Sequence, residues 1–260
     1  QHFPIETLNV TKGFDWEDEL LFKAVALRGT PYFSNFINSD MNPEDVRSMC
    51  CRLRIDNTVL NKRGGGFFGA SPLTGSVGVV TLNMPMIAYN TKDEDRFLET
   101  IDHGMELAME SLQLKRAVLE RMTTNNMYPY SKVYLDSVYQ RFGKYWENHF
   151  STIGLVGMNE ACLNLIDEDI ASSSGLDLAV RTLDFMRDKA LELQDKTNAM
   201  VNIEATPAEG TAYRLAMNDR KTYGRDLITA GTRDTPYYTN STHLPVDTDE
   251  GLGFYLNHQD

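Results

Sequence analysis

Short apolar runs that alternate with segments of helical periodicity restrict this chain to architectures in which helices join strands. Residues 31–36, 77–82, 152–156, 200–204 and 237–239 are rich in β-branched or aromatic side chains and predict five strands. Between them, Trp16, Leu20, Leu21, Ala24 and Leu27 predict one amphipathic helix, and Met105, Ala108, Leu112 and Leu119 a second. Leu183, Met186, Ala190 and Leu193 predict a third. Strands separated by helix-length segments favour βα units in a parallel sheet or barrel, whose catalytic groups gather at the carboxyl ends of the strands. With 260 residues, 42% of them hydrophobic, the chain can bury a substantial core. No repeat, low-complexity tract or linker divides it, so the expectation is one α/β unit.

Sulfur chemistry is concentrated at one place. Met49-Cys50-Cys51-Arg52-Leu53 is followed by Gly64-Gly65-Gly66-Phe67-Phe68-Gly69 and then by the strand-like run Val77-Gly78-Val79-Val80-Thr81-Leu82-Asn83. Glycines cluster where backbone turns sharply or approaches another group closely, so a flexible loop is expected to carry or flank Cys50 and Cys51. A thiol can act as metal ligand, nucleophile, redox partner or radical carrier. No CxxC occurs and no histidine is near, which argues against zinc. Cys162 reads as core.

Charge and hydropathy exclude several classes. A net charge of −12 and a pI near 4.9 give no footprint for polymeric nucleic acid. No apolar stretch approaches transmembrane length, and Gln1-His2-Phe3-Pro4 is not a signal peptide. Three cysteines, two of them adjacent, make no disulfide framework, so a reducing, cytoplasmic setting is expected. The absence of an initiator Met and the polar end Asn257-His258-Gln259-Asp260 lead to the expectation that the chain is cut from something longer.

Two strand ends invite an anion. Gly154-Leu155-Val156-Gly157-Met158-Asn159-Glu160 runs from strand through glycine into a predicted helix. Ala205-Thr206-Pro207-Ala208-Glu209-Gly210-Thr211 does the same, with Thr206 expected as N-cap and Pro207 at the first helical position. Helix starts present free N–H groups and the positive end of the dipole, which suits phosphate, but ordinary βα turns look alike, and neither matches a Walker A or dinucleotide fingerprint.

Taken in order, these motifs, with Pro31-Tyr32-Phe33-Ser34-Asn35-Phe36, Met84-Pro85, Ala212-Tyr213-Arg214 and Tyr237-Tyr238-Thr239-Asn240-Ser241-Thr242-His243-Leu244-Pro245-Val246, closely resemble the anaerobic (class III) ribonucleoside triphosphate reductases over nearly the whole chain. That resemblance implies the later part of a ten-stranded α/β barrel with a finger loop, about residues 48–76, threading its centre. It implies a thiyl radical on Cys51, which would take the 3′-hydrogen of the substrate ribose before the 2′-hydroxyl leaves as water. By the same carry-over, Thr206, Pro207, Ala208, Glu209, Gly210 and Thr211 would seat the triphosphate. Asn159, Glu160, Asn240, Ser241, Thr242 and His243 would line the pocket.

The family further implies a glycyl radical and structural zinc cysteines, neither within this sequence, and an ATP cone that is absent here. It implies an activating protein that uses S-adenosylmethionine and a 4Fe-4S cluster, allosteric ATP and dATP bound elsewhere, and a homodimer. Leu53 stands where aerobic relatives have a carboxylate, which fits the anaerobic class. Gly75 and Ser76 occupy the region where formate-using members carry asparagine, so formate and a thioredoxin-like thiol donor both stand as reductants. Simpler readings stand beside these: Cys50 as packing, Glu160 as a complement to its helix dipole, His243 as a hydrogen-bonded structural residue, and Tyr128, Tyr130 and Tyr134 as packing. Another glycyl-radical barrel of formate-lyase type and a noncatalytic nucleotide-binding module are the alternative functions.

Overall fold

The computed structural model describes residues 7–28, 32–37, 46–48, 54–56 and 75–240, and the chain divides into two compact units, Gln1–Pro72 and Leu73–Gln259.

In the first unit, β1 (Thr7–Val10) pairs in parallel with β2 (Tyr32–Asn35), in register from Thr7 opposite Tyr32 to Val10 opposite Asn35. Helix α1 (Glu19–Arg28) makes the crossover that a parallel pair requires. Phe14, Trp16, Phe22 and Phe33 form a chain of ring contacts, with centroids 4.9 to 6.3 Å apart. The expected apolar stripe on α1 is not buried: Trp16 precedes the helix at 60% exposure and Leu20 is 80% exposed. Stacking of Trp16 on Phe22, rather than core burial, holds this end. Strands β3 (Val46–Ser48) and β4 (Arg54–Asp56) pair antiparallel, Ser48 opposite Arg54, and are joined by residues 49–53. Cys50 and Cys51 are in that connection and lie outside the described residues.

The second unit holds a parallel sheet in the order β5 (Ser76–Asn83), β6 (Phe150–Val156), β7 (Val201–Ala205). Between β5 and β6 run α2 (Met84–Thr91), α3 (Glu94–Thr124), α4 (Pro129–Tyr134) and α5 (Asp136–Phe142). Between β6 and β7 run α6 (Met158–Ile166) and α7 (Ser173–Thr197). Helix α8 (Glu209–Tyr223) follows β7, and a short antiparallel pair, β8 (Ala230–Gly231) with β9 (Pro236–Tyr237), closes the described chain. The long helices are capped by the side chains of Asp93 and Ser172, which accept from the N–H groups of Arg96 and Gly175.

Leu82, Ile153 and Leu155 point from the sheet into a core completed by Met105, Ala108 and Leu112 of α3 and by Leu178, Met186, Ala190 and Leu193 of α7. The predicted periodicities of both helices therefore mark their buried faces, and truncating one such Leu or Met to Ala is expected to cost about 2–5 kcal/mol. Cys162 joins this core with no exposure, its thiol against the Gly175 carbonyl, and burial pushes its pKa up to about 12. Arg116 of α3, also buried, donates to the carbonyls of Trp146 and His149 and to Ser151 Oγ, fixing the entry to β6. Burial, helped by the Arg116 charge, lowers the His149 pKa to about 4 and keeps it neutral. Tyr128, Tyr130 and Tyr134 do not pack as expected; they are 40%, 80% and 68% exposed on the short turns around α4, where no long helix face covers them. Among the described residues no helix is long and apolar enough to cross a membrane.

Candidate active site

Side chains alternate across a strand, so the face of the sheet opposite α3 and α7 carries Val79, Thr81 and Asn83 of β5, Thr152, Gly154 and Val156 of β6, and Asn202 and Glu204 of β7. Cross-strand pairing sets Thr81 beside Gly154 and Gly154 beside Glu204. This is a polar face on an otherwise apolar sheet. Ser76 Oγ lies 2.8 Å from Thr152 Oγ1, which donates to Asn202 Oδ1 at 2.9 Å. Further along, Thr81 Oγ1 donates to Thr206 Oγ1 at 3.3 Å, directly over Gly154. A Cβ at Gly154 would stand 1.9 Å from Thr206 Oγ1, so only glycine lets the two hydroxyls meet there.

Glu204 is 7% exposed and its Oε1 has no hydrogen-bond partner; Asn202 Nδ2 is likewise buried and unpaired. Burial raises the Glu204 pKa to about 7, so at neutral pH the carboxyl is poised between its acid and its ionised form. The sequence reading passed over Glu204. The signal was parity: a carboxylate in register with Asn202 and Thr206 on a strand whose other side is Val201 and Ile203.

Beyond the strand ends the two crossovers differ. Gly157 adopts φ +77° as the residue before α6, and a Cβ there would strike the Pro85 ring at 2.4 Å. Its N–H donates to Thr239 O at 2.7 Å. Glu160, buried in the first turn of α6, accepts from Thr239 N and Thr239 Oγ1, each at 2.9 Å, and from Asn159 Nδ2 at 3.4 Å. Asn159 Oδ1 accepts from Ile170 N at 3.1 Å. Burial raises the Glu160 pKa, and the Thr239 and Asn159 bonds oppose the shift. The Glu160 carboxyl, expected to line the pocket or more simply to complement its helix dipole, anchors another segment.

At the second crossover Thr206 is not the N-cap and Pro207 is not the first helical residue. Helix α8 begins at Glu209, its N-cap is Ala208 at φ +23°, and no side chain caps it. Thr206 N donates instead to Leu155 O at 3.2 Å, continuing the ladder to β6, and its hydroxyl meets Thr81. The ladder extends to Thr206 itself, and the helix N-cap falls two residues later, at Ala208. Pro207 and Ala208 are half-buried, Gly210 is exposed with open space where a Cβ would be, and Thr211 is half-buried.

The segment after β9 completes the group. Tyr238, fully buried, donates from its hydroxyl to Asp219 Oδ2 at 2.8 Å, where Asn83 Nδ2 also donates at 2.6 Å. Asn240 is buried, with Nδ2 donating to Tyr238 O at 3.2 Å. Of the residues predicted from sequence, Asn159, Glu160, Thr206, Pro207, Ala208, Glu209, Gly210, Thr211 and Asn240 therefore lie at the carboxyl ends of the β6, β7 and β9 strands. Cys51, Ser241, Thr242 and His243 are outside the described residues. No group of three or more His, Cys, Asp or Glu that could hold a metal ion occurs among the described residues.

The model of the anaerobic ribonucleoside-triphosphate reductase family matches residues 1–260. The chain belongs to that family. An anaerobic ribonucleoside-triphosphate reductase of Haemophilus influenzae is 28% identical over 187 residues, covering 66% of this chain and 25% of the relative. The chain thus spans about a quarter of the length of that curated relative. A crystal structure of the anaerobic ribonucleotide reductase of Thermotoga maritima with MES in its active site superposes with a TM-score of 0.60 at 21% identity, covering 91% of this chain and 37% of the other. Another structure from the same organism, with dATP in its specificity site, gives 0.51 at 25% identity and covers 59% of this chain and 26% of the other. The α/β fold expected for a reductase of this family, as part of its larger catalytic architecture, is the fold this chain has.

Proposed function

We propose that this chain is a segment of the catalytic barrel of an anaerobic ribonucleotide reductase, acting in the complete enzyme to convert ribonucleoside triphosphates to 2′-deoxyribonucleoside triphosphates. The observation that carries the reading is the family match across residues 1–260. The geometry supports it by supplying, at the carboxyl ends of parallel strands, an uncapped helix start beside a buried, unpartnered carboxyl.

In this reading Cys51, in the connection between the paired strands β3 and β4, takes the 3′-hydrogen of the ribose as a thiyl radical. A glycyl radical carried elsewhere in the complete enzyme, formed by an S-adenosylmethionine and iron–sulfur activating protein, supplies the unpaired electron. The start of α8, with Thr206, Pro207, Ala208, Glu209, Gly210 and Thr211, seats the triphosphate through free N–H groups and the helix dipole. The start of α6 is taken up by protein groups: Gly157 N is bonded to Thr239 O, and the Glu160 carboxyl is buried against Thr239. Asn240, Ser241, Thr242 and His243 border the ribose or base.

Glu204 is the proton donor to the departing 2′-hydroxyl, which leaves as water; two electrons from an external reductant complete the reduction, and Cys51 returns the 3′-hydrogen. Glu204 can give a proton but no electrons, so formate and a dithiol of thioredoxin type both stand as the external two-electron reductant. Activity depends on a homodimer, on allosteric nucleotides bound outside this segment and on structural zinc outside it.

The test is anaerobic turnover of the complete enzyme with its activating protein, wild type beside Cys51→Ser, with the glycyl radical verified by EPR in both. Deoxynucleotide formation lost only in the variant supports the reading. Equal turnover removes Cys51 from the mechanism and favours a noncatalytic role for the segment. Absence of product from a radical-bearing wild type rejects the reductase assignment.

A further inference from the structure

Resting on the reductase reading, we infer that Glu160 is a positioning residue that fixes the strand end leading to Asn240, and not a group that touches substrate. Three bonds make the clamp. Gly157 N donates to Thr239 O at 2.7 Å, and Thr239 N and Thr239 Oγ1 both donate to Glu160 Oε2 at 2.9 Å. The remaining oxygen, Oε1, faces Asn159 Nδ2 at 3.4 Å, and Glu160 is 1% exposed. With these bonds made and the group buried, no face of the carboxylate is presented to a ligand.

The clamp has a second jaw on the other side of the strand. Successive side chains of an extended segment point opposite ways, so where Thr239 meets Glu160 of α6, Tyr238 turns to Asp219 of α8 at 2.8 Å. Asp219 is itself held by Asn83 at the end of β5, at 2.6 Å. Residues 238–239 are therefore gripped between two buried carboxylates carried on the helices that follow β6 and β7. A slip of one residue would exchange the two side chains and take the Thr239 donors from Glu160 and the Tyr238 donor from Asp219, which is costly in a buried site. The register of Asn240 relative to β6 and β7 is set by this arrangement. Buried hydrogen bonds whose loss would leave polar groups unsatisfied suit a part that must hold still while a substrate turns over.

Hydroxyl chemistry at Thr239 separates positioning from bulk packing. In the activated complete enzyme, Thr239→Val keeps the side-chain shape and the backbone donor but removes the hydroxyl donor, and Thr239→Ser restores it. Glu160→Gln is measured beside them, and glycyl radical yield by EPR reports whether each variant is folded and activated. The expected result is a roughly tenfold rise in KM for the ribonucleoside triphosphate in Thr239→Val, with radical yield as in wild type and Thr239→Ser within about twofold of wild type. Wild-type KM and kcat in Thr239→Val at normal radical yield would overturn the clamp. So would a Thr239→Ser variant as impaired as Thr239→Val, because the hydroxyl would then not be what matters. A wild type that carries the radical yet makes no deoxynucleotide instead defeats the reductase reading on which the clamp rests. Should Glu160→Gln fail to accumulate, the threonine pair still decides the question.

Discussion

The crossovers β6–α6 and β7–α8 look alike in sequence, each running from an apolar strand through a turn into a helix, yet their polar groups are deployed in opposite ways. At the first, the chemistry is closed: Gly157 N, Asn159 Oδ1 and the Glu160 carboxylate all have partners within the protein. At the second it is open: Glu204 Oε1 and Asn202 Nδ2 are buried without a partner, although neither helix start has a side-chain cap. A buried polar group normally finds a hydrogen bond, so in the proposed function the open crossover takes the ligand and the closed one holds the site in shape. Two helix starts of similar appearance thus play different parts.

The largest test of that contrast is Glu204→Gln in the complete enzyme. If the open carboxyl is the proton donor, turnover falls by about 10²–10⁴. The wild-type rate should decline as pH rises through about 7, where Glu204 ionises, and the residual activity of the variant should lose that limb. A wild-type pH profile in Glu204→Gln would remove the carboxyl from the chemistry.

Stability gives an independent reading of the same group. The folded pKa of Glu204, about 7, stands above its ordinary value of 4.5, so the folded state binds the proton more tightly than the unfolded chain. That contribution to stability is complete below 4.5 and is lost as pH rises to about 7. Glu204→Gln should therefore raise the melting temperature at pH 8 and change it little at pH 5, as followed by thermal unfolding. An equal shift at both pH values would show that the raised pKa is not present.

Gly154→Ala probes the sheet face that joins the two crossovers. The added methyl group meets the Thr206 hydroxyl at 1.9 Å, so the expected loss is about 1–3 kcal/mol, read from denaturant midpoints. An unchanged midpoint would mean that Thr206 moves freely and is not fixed over Gly154.

The smallest effect is expected from Ala208→Asp, which adds a second carboxylate, next to Glu209, at the start of α8. Helix-terminal charge effects of about 0.3–1 kcal/mol correspond to a KM raised about two- to fivefold, with kcat and radical yield retained. An unaltered KM would argue that the triphosphate sits elsewhere.

Much of the frame was legible in the residues. The runs at 77–82, 152–156 and 200–204 form the parallel sheet, and the spacing of Met105, Ala108 and Leu112 and of Met186, Ala190 and Leu193 marks the helix faces that cover it. Short elements escaped. Strands β1, β3, β4 and β8 have only 4, 3, 3 and 2 residues, too few to display a period. The α1 stripe misled because apolar spacing says which residues share a face, not whether anything covers it.

What the sequence determined by itself is local: which segments alternate, which residues share a side, and the ordered motifs that mark the family. Tertiary structure alone decided which polar groups are satisfied. Thr239 and Glu160 are 79 residues apart, Thr81 and Thr206 are 125 apart, and Asn83 and Asp219 are 136 apart. Pairings of that range depend on how strands are ordered and how helices return, and no local pattern records them. The same is true of the group left over: Glu204 acquires its raised pKa because the fold buries it and brings no partner to Oε1.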